Sequence, residues 1–221
     1  MPRQHRIRGQ GIHYHIILRC NNKERLFQQD EDFSKVLEML LDTKNRLPFA
    51  LYNYILMNAH MHLLLSTHQK HLIDQIMHDF CFKYAKDYNQ RHRRSGHFWA
   101  HRYRGRIITS DQHAIAGLRY QHRNPIVAGL VLKPEDWRWS GYNYYAFGVP
   151  NDLLEAHPSY LALSKDAFFR QQIYRELVNT TLQSDQKPHL FEGRSEEQSR
   201  RFQNMARQVQ RLSRALQRKI K

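Results

Sequence analysis

Cysteine is nearly missing: Cys20 and Cys81 are the only two in 221 residues. They form no Cys-x-x-Cys motif and no disulfide framework, so they read as small core residues of a protein kept in a reducing compartment. Long apolar runs are missing too. No stretch approaches the roughly 18 apolar residues of a membrane-spanning helix. The basic start Met1-Pro2-Arg3-Gln4-His5-Arg6 leads into no apolar signal core, so a cytoplasmic, nucleoid-associated location is expected rather than export. No Walker loop, Gly-rich dinucleotide fingerprint or Ser-His-Asp arrangement competes as a source of activity. Acidic residues are scarce, 20 against 35 Lys and Arg, for a formal charge of +15. That surplus opposes compaction of an isolated chain and suits a polyanionic partner: nucleic acid first, an acidic membrane surface second.

Periodicity then supplies the elements. Residues 12–20 (IHYHIILRC) alternate and are rich in β-branched side chains, which predicts a strand. Asp30 can cap a helix in which Phe33, Val36, Leu37, Leu40 and Leu41 recur at helical spacing, until Pro48 forbids continuation. Residues 49–57 (FALYNYILM) and 60–66 (HMHLLLS) read as two strands joined tightly at Asn58-Ala59. From His71 to about Arg91 the set Ile73, Ile76, Met77, Phe80, Tyr84, Tyr88 keeps one helical face. After Gly96, residues 98–109 read as a fourth, partly exposed strand, and Ser110 or Asp111 caps a helix that Asn124-Pro125 should end.

The resulting order is an α+β class chain, a ferredoxin-like βαββαβ sheet with helices on one face and the other face left for a ligand, plus a C-terminal helical extension. Residues 1–125 are expected to form the catalytic domain, and 126–182 an aromatic-rich wrap and helix packed on it. Residues 183–221 should form a basic amphipathic helix opened by the capping pattern Ser195-Glu196-Glu197-Gln198. That helix has three readings: packing on the domain, self-association as a homodimer, or a basic face on DNA.

Two features carry chemistry. In a strand, residues i and i+2 share a face, so His60 and His62 can converge on one metal ion; they can also be hydrogen-bonded sheet residues. On the later helix Asn124 follows Tyr120 by one turn on the same face. A phenol, with a pKa near 10, attacks only with help from its surroundings. For DNA grip, Arg91, Arg93, Arg94, Arg102, Arg104 and Arg106 give six arginines with no acid among residues 91–106. Interleaved Phe98, Trp99 and Tyr103 can stack on unpaired bases or belong to the core.

The runs HMHLLL, FWAHRYRGRIITSDQH and LRYQHRNPIVAGLV together resemble the single-tyrosine transposases of the HUH endonuclease superfamily, especially the REP-associated tyrosine transposases. The last run is similar to that group's Tyr-x-x-x-Asn-Pro-x-x-Ala-Gly-Leu-Val signature, here Tyr120, Asn124, Pro125, Ala128, Gly129, Leu130 and Val131. The resemblance spans about residues 10–145. It implies metal ligands His60 and His62 with Asn124 as third, Tyr120 as nucleophile, and His15 as a first-strand histidine near the site. His122-Arg123 departs from the family's more neutral pair. By donor softness alone two imidazoles and an amide suit a borderline transition ion, whereas the resemblance implies Mg2+ or Mn2+.

The expected function is therefore a single-strand DNA endonuclease and strand transferase acting through a 5′-phosphotyrosine link on single-stranded or hairpin DNA. The rival is a non-catalytic, domesticated nucleic-acid-binding protein of the same fold. A metal-dependent phosphodiesterase using activated water is a further alternative.

Overall fold

The computed structural model describes residues 9–67, 70–182, 185 and 196–219. The strands are β1 (His13–Arg19), β2 (Phe49–Met57), β3 (His60–Thr67) and β4 (Arg104–Ile107). The helices are α1 (Asp30–Arg46), α2 (Ile73–Arg91), α3 (Asp111–Val127), α4 (Tyr142–Phe147), α5 (Pro158–Leu161), α6 (Ala167–Asn179) and α7 (Glu196–Lys219). The strands form one antiparallel sheet in the order β2-β3-β1-β4, the ferredoxin-like arrangement expected of βαββαβ. The chain divides into two compact units, one holding the residues up to Leu51 with Asn58–Ile107, the other Tyr52–Met57 with the residues from Ile108 onward. The Ser195 cap and the basic N-terminal run lie outside the described residues.

In the first unit α1 and α2 bury their apolar stripes, Phe33, Val36 and Leu40 on one and Ile73, Ile76, Met77, Phe80, Tyr84 and Tyr88 on the other. The tyrosines in this core keep their polar ends satisfied: Tyr84 donates to the Asp32 carbonyl at 3.0 Å and Tyr88 to that of Leu26 at 2.7 Å. Asp30 opens α1 rather than capping it. The capping carboxylate is Asp32, which accepts the Gln28 and Gln29 N–H groups at 3.2 Å each.

Two elements differ from expectation. β4 is only four residues long, because Phe98 and Trp99 leave the edge to pack beneath α2. Phe98 stacks edge-on against Tyr84 at 5.1 Å, and the Trp99 indole donates to the Cys81 carbonyl at 3.0 Å. A single bridge of Trp99 to Cys20 survives before the ladder resumes at Arg104. Conversely, α3 runs through Pro125 to Val127. A proline loses only one helical donor, and here the helix stops three residues later by a left-handed cap. Gly129, at φ 67°, donates to the Ile126 carbonyl and Leu130 to that of Pro125. The Ala-Gly-Leu-Val run is thus a helix stop that only glycine enters without strain.

The second unit has its own interior. Tyr145, Tyr160 and Tyr174 cluster with ring centroids at 4.7 Å for Tyr145–Tyr160 and 5.3 Å for Tyr145–Tyr174, and Tyr142 lies 6.5 Å from Tyr174. Tyr145 donates to the Tyr52 carbonyl and Tyr160 to that of Tyr145. Segment 137–141 runs beside the β2 residues of this unit, bridging Ser140 to Ile55. Gly141 is required there: a Cβ would strike Asn53 Oδ1 and approach Leu154 Cδ1 to 2.8 Å. The apolar stripe of α7, Phe202, Met205, Ala206 and Val209, is buried in the same unit. Packing on the chain therefore claims that stripe, rather than self-association.

Candidate active site

Register assembles a row of imidazoles. β1 and β3 pair so that Ile17 faces His62, Arg19 faces His60 and His15 faces Leu64. Directly opposed residues share a face, and diagonal neighbours lie within reach of long side chains. His15 Nε2 and His62 Nδ1 accordingly meet at 2.9 Å, and the His60 and His62 rings lie 5.1 Å apart. β4 adds Arg106 opposite His15 and Arg104 opposite Ile17. One sheet face thus carries His60, His62 and His15, flanked by Arg19, Arg104 and Arg106. Arg19 had no signal in its local sequence; only the cross-strand register reveals it.

The environment keeps the His15 and His62 rings neutral. Burial lowers the His15 pKa to about 3, with the Arg106 charge assisting. Burial also pushes His62 well below the ordinary value, helped by His60, His15 and Arg19. Neutral imidazole is the form that binds metal. The expectation of an open ligand face is corrected here: His62 and Leu64 are both fully buried, and only His60 at the start of β3 is partly exposed. Among the described residues no group of three or more His, Cys, Asp or Glu is placed to hold a metal ion. His15 is therefore a partner of His62 rather than a third ligand. With Nδ1 of His62 committed to His15, coordination by His62 would run through Nε2. Metal-binding histidines commonly have their second nitrogen held in this way. The pair fits a divalent ion that takes few protein ligands.

In the second unit, Ser110 caps α3 by accepting the His113 N–H at 3.3 Å. Between Ala114 and Pro125 every residue of α3 is buried except Tyr120 and Asn124, which share a face. The Asn124 Nδ2 is buried without a hydrogen-bond partner among the described residues. Their neighbours are anchors. Arg119, with no exposed side-chain surface, donates to the Leu177 carbonyl at 2.7 Å, the Thr180 carbonyl at 2.6 Å and both Asp185 oxygens. His122 bridges Asn53 Oδ1 at 2.9 Å and the Tyr174 hydroxyl at 2.6 Å, while Asn53 donates to Gln121 at 2.7 Å. Arg123 donates to the Val178 carbonyl at 2.6 Å. The unusual His122-Arg123 pair is thus interior scaffolding that holds the helix carrying Tyr120.

The basic run is mixed. Arg91 is tied to Asp87 at 2.7 Å and to buried Asp32 at 3.0 Å, and Arg94 to the His97 carbonyl at 3.1 Å. Arg93, Arg102 and Arg104 are exposed, and Arg106 is half-buried. Trp99 and Tyr103, read as stacking on bases or belonging to the core, make inward contacts. Trp99 is engaged by Cys81, and Tyr103 is buried with its hydroxyl on Asp74. The exposed ring in this region is instead Phe82, 62% accessible on the outer face of α2. An aromatic off the apolar stripe was its available sequence signal. No helix among the described residues is long and apolar enough to cross a membrane.

Comparison with known proteins places the chain. No curated protein matches it. Among solved structures it is similar to a REP-associated tyrosine transposase bound to a REP hairpin, with a TM-score of 0.58 and 16% identity, covering 71% of this chain and 93% of that one. It also aligns with a candidate transposase from Deinococcus radiodurans R1, with a TM-score of 0.40 and 18% identity, covering 52% of this chain and 91% of that one. Residues 9–121 match the model described as Transposase IS200 like, a span that takes in His15, His60, His62 and Tyr120 and stops short of Asn124. Such a match over half the chain makes this protein a member of the IS200-like transposases, the single-tyrosine branch whose motifs it carries.

Proposed function

We propose that the protein cuts and rejoins single-stranded DNA by transesterification, with Tyr120 as the nucleophile. His60 and His62 hold Mg2+ or Mn2+, with Asn124 as a third ligand. The observation that carries this reading is the row of imidazoles flanked by arginines on one sheet face. When bound, the ion supplies positive charge to the scissile phosphate and to the charge that builds in the transition state. The rest is work for the protein's own groups.

His15 fixes the ring of His62. Arg19, Arg104 and Arg106 attract the phosphate to that face. The Tyr120 oxygen attacks phosphorus, the bond to the 3′ oxygen breaks, and the phenol proton ends on that oxygen through solvent. A 5′-phosphotyrosine and a free 3′-OH result. Attack by another 3′-OH reverses the step and joins strands without ATP, because the phosphodiester energy stays in the tyrosyl link. The chemistry requires phenol and ion to meet at one phosphate.

The solved relative's REP hairpin supports palindromic DNA, taken as a folded single strand, as the substrate. Residues 1–125 form the catalytic part in this reading, in a cytoplasmic, nucleoid-associated protein. Phosphate contacts fall to Arg93, Arg102, Arg104 and Arg106. Arg91 and Arg94 act more through the loop they brace.

The test is covalent trapping on single-stranded, hairpin and duplex forms of one element with manganese. Wild type should give an adduct mapped to Tyr120 on single-stranded forms. Tyr120→Phe should lose the adduct and keep DNA affinity. Cleavage that survives Tyr120→Phe points to activated water instead, and binding with neither cutting nor adduct leaves a non-catalytic binder.

A further inference from the structure

The outer face of α7 is strongly basic. After Glu197 the chain contains no Asp or Glu. Arg200, Arg207, Arg211, Arg214 and Arg218 are all exposed, while Phe202, Met205, Ala206 and Val209 are buried on the opposite side. At about 100° and 1.5 Å per residue, these five arginines fall within an arc of about 60° and extend over about 27 Å. Arg207, Arg211, Arg214 and Arg218 succeed one another at about 4.5–6 Å along the axis. Along the helix, Glu197 is occupied by Arg201, and Asp111 of α3 lines the same cavity as Arg214.

We propose that this ridge is a rail for the phosphate backbone of duplex DNA, namely the paired stem of the hairpin. The proposal rests on the reading that hairpin DNA is the substrate. Charge selects the occupant: a straight, acid-free line of guanidinium groups matches a polymer with one negative charge per about 3.4 Å of each strand. Guanidinium forks bind phosphate oxygens in pairs.

The rail is not a loose tail. The Phe202 ring lies 5.1 Å from that of His113 on α3, and Gln217 donates to the Leu163 carbonyl at 2.8 Å. α7 is thereby fixed to the helix that carries Tyr120, within the same unit. Stem phosphates held on α7 consequently stand at a set offset from the nucleophile, so the rail also acts as a ruler between stem and cut.

The test replaces Arg207, Arg211, Arg214 and Arg218 together by Gln, which keeps helix propensity. Circular dichroism and the melting temperature confirm the fold. Hairpin affinity is then measured from 50 to 200 mM salt, beside an unpaired strand of equal length. Four lost duplex contacts flatten the log–log salt slope by about 3–4, and hairpin affinity should fall at least tenfold at 100 mM salt. The slope for the unpaired strand should change by less than one.

An unchanged hairpin slope overturns the rail, as does equal loss on both ligands. So does a change in sedimentation without DNA, which would mark a protein–protein face. The tyrosyl adduct on a short unpaired substrate separates the two claims. It should persist in the four-Gln variant, and its absence from wild type would sink the nuclease reading while leaving the salt-slope result to judge the rail.

Discussion

Arg119→Met tests whether α3 is held by a buried ion pair. The guanidinium makes four hydrogen bonds of 2.6–2.7 Å, two to Asp185 and two to the carbonyls of Leu177 and Thr180. Methionine keeps much of the volume and removes every donor. Breaking one side of a buried pair costs about 3–5 kcal/mol, because the remaining charge and acceptors are stranded. Asp185 retains Arg123 at 3.3 Å and the Leu182 N–H at 2.7 Å, so the lower end, about 3 kcal/mol, is expected. For a chain of this size that lowers the melting temperature by about 6–12 °C. Calorimetry on wild type, Arg119→Met, Asp185→Asn and the double variant forms a thermodynamic cycle, in which partners in direct contact should couple by more than about 1 kcal/mol. A loss under 2 °C for Arg119→Met, or strictly additive single changes, would show that the pair does not anchor α3.

Three further outcomes follow from the buried polar groups. His122 sits at a pKa near 3 because of burial. The unfolded chain therefore takes up a proton near pH 6.5 that the folded one refuses, so stability is full above that pH and declines toward pH 3 by up to about 1.4 kcal/mol per unit. Urea titrations at pH 8, 6 and 4.5 should show the decline, and a flat profile would contradict the buried neutral ring. Asp185 adds to the acid loss at the low end. Burial opposes its charge, but Arg119, the Leu182 N–H and Arg123 together hold its carboxyl below the usual value, and that contribution disappears as pH falls through the folded pKa. His15→Ala should weaken Mn2+ binding by about 10–100-fold, as loss of a group orienting a ligand does; calorimetric titration returning the wild-type constant would remove His15 from the site. Gly141→Ala should cost about 1–3 kcal/mol in urea denaturation through its collision with Asn53, and a neutral result would mean that the 137–141 segment yields freely.

The sequence alone determined what depends on near neighbours. Alternation over 12–20, the apolar run 60–66 and the helical stripe from Ile73 to Tyr88 each gave an element within a residue or two, since side-chain period follows from backbone geometry. The β-α-β-β-α-β order implied the sheet topology, and the Tyr-Asn-Pro run led to the family.

Tertiary structure decided what depends on distant partners. The sequence left Trp99 and Tyr103 between stacking on bases and entering the core, and packing engages them with Cys81 and Asp74. Nothing local marks Arg119, His122 and Arg123 as interior, yet carbonyls, Asp185, Asn53 and Tyr174 make them so. Between His13-Tyr14-His15 and His60-Met61-His62, composition offered no choice. The antiparallel register of β1 against β3 brings His15 against His62, a contact that neither motif's own sequence contains. A polar side chain's role depends on the partner it meets when buried, and that partner is fixed by register and packing that no local window contains.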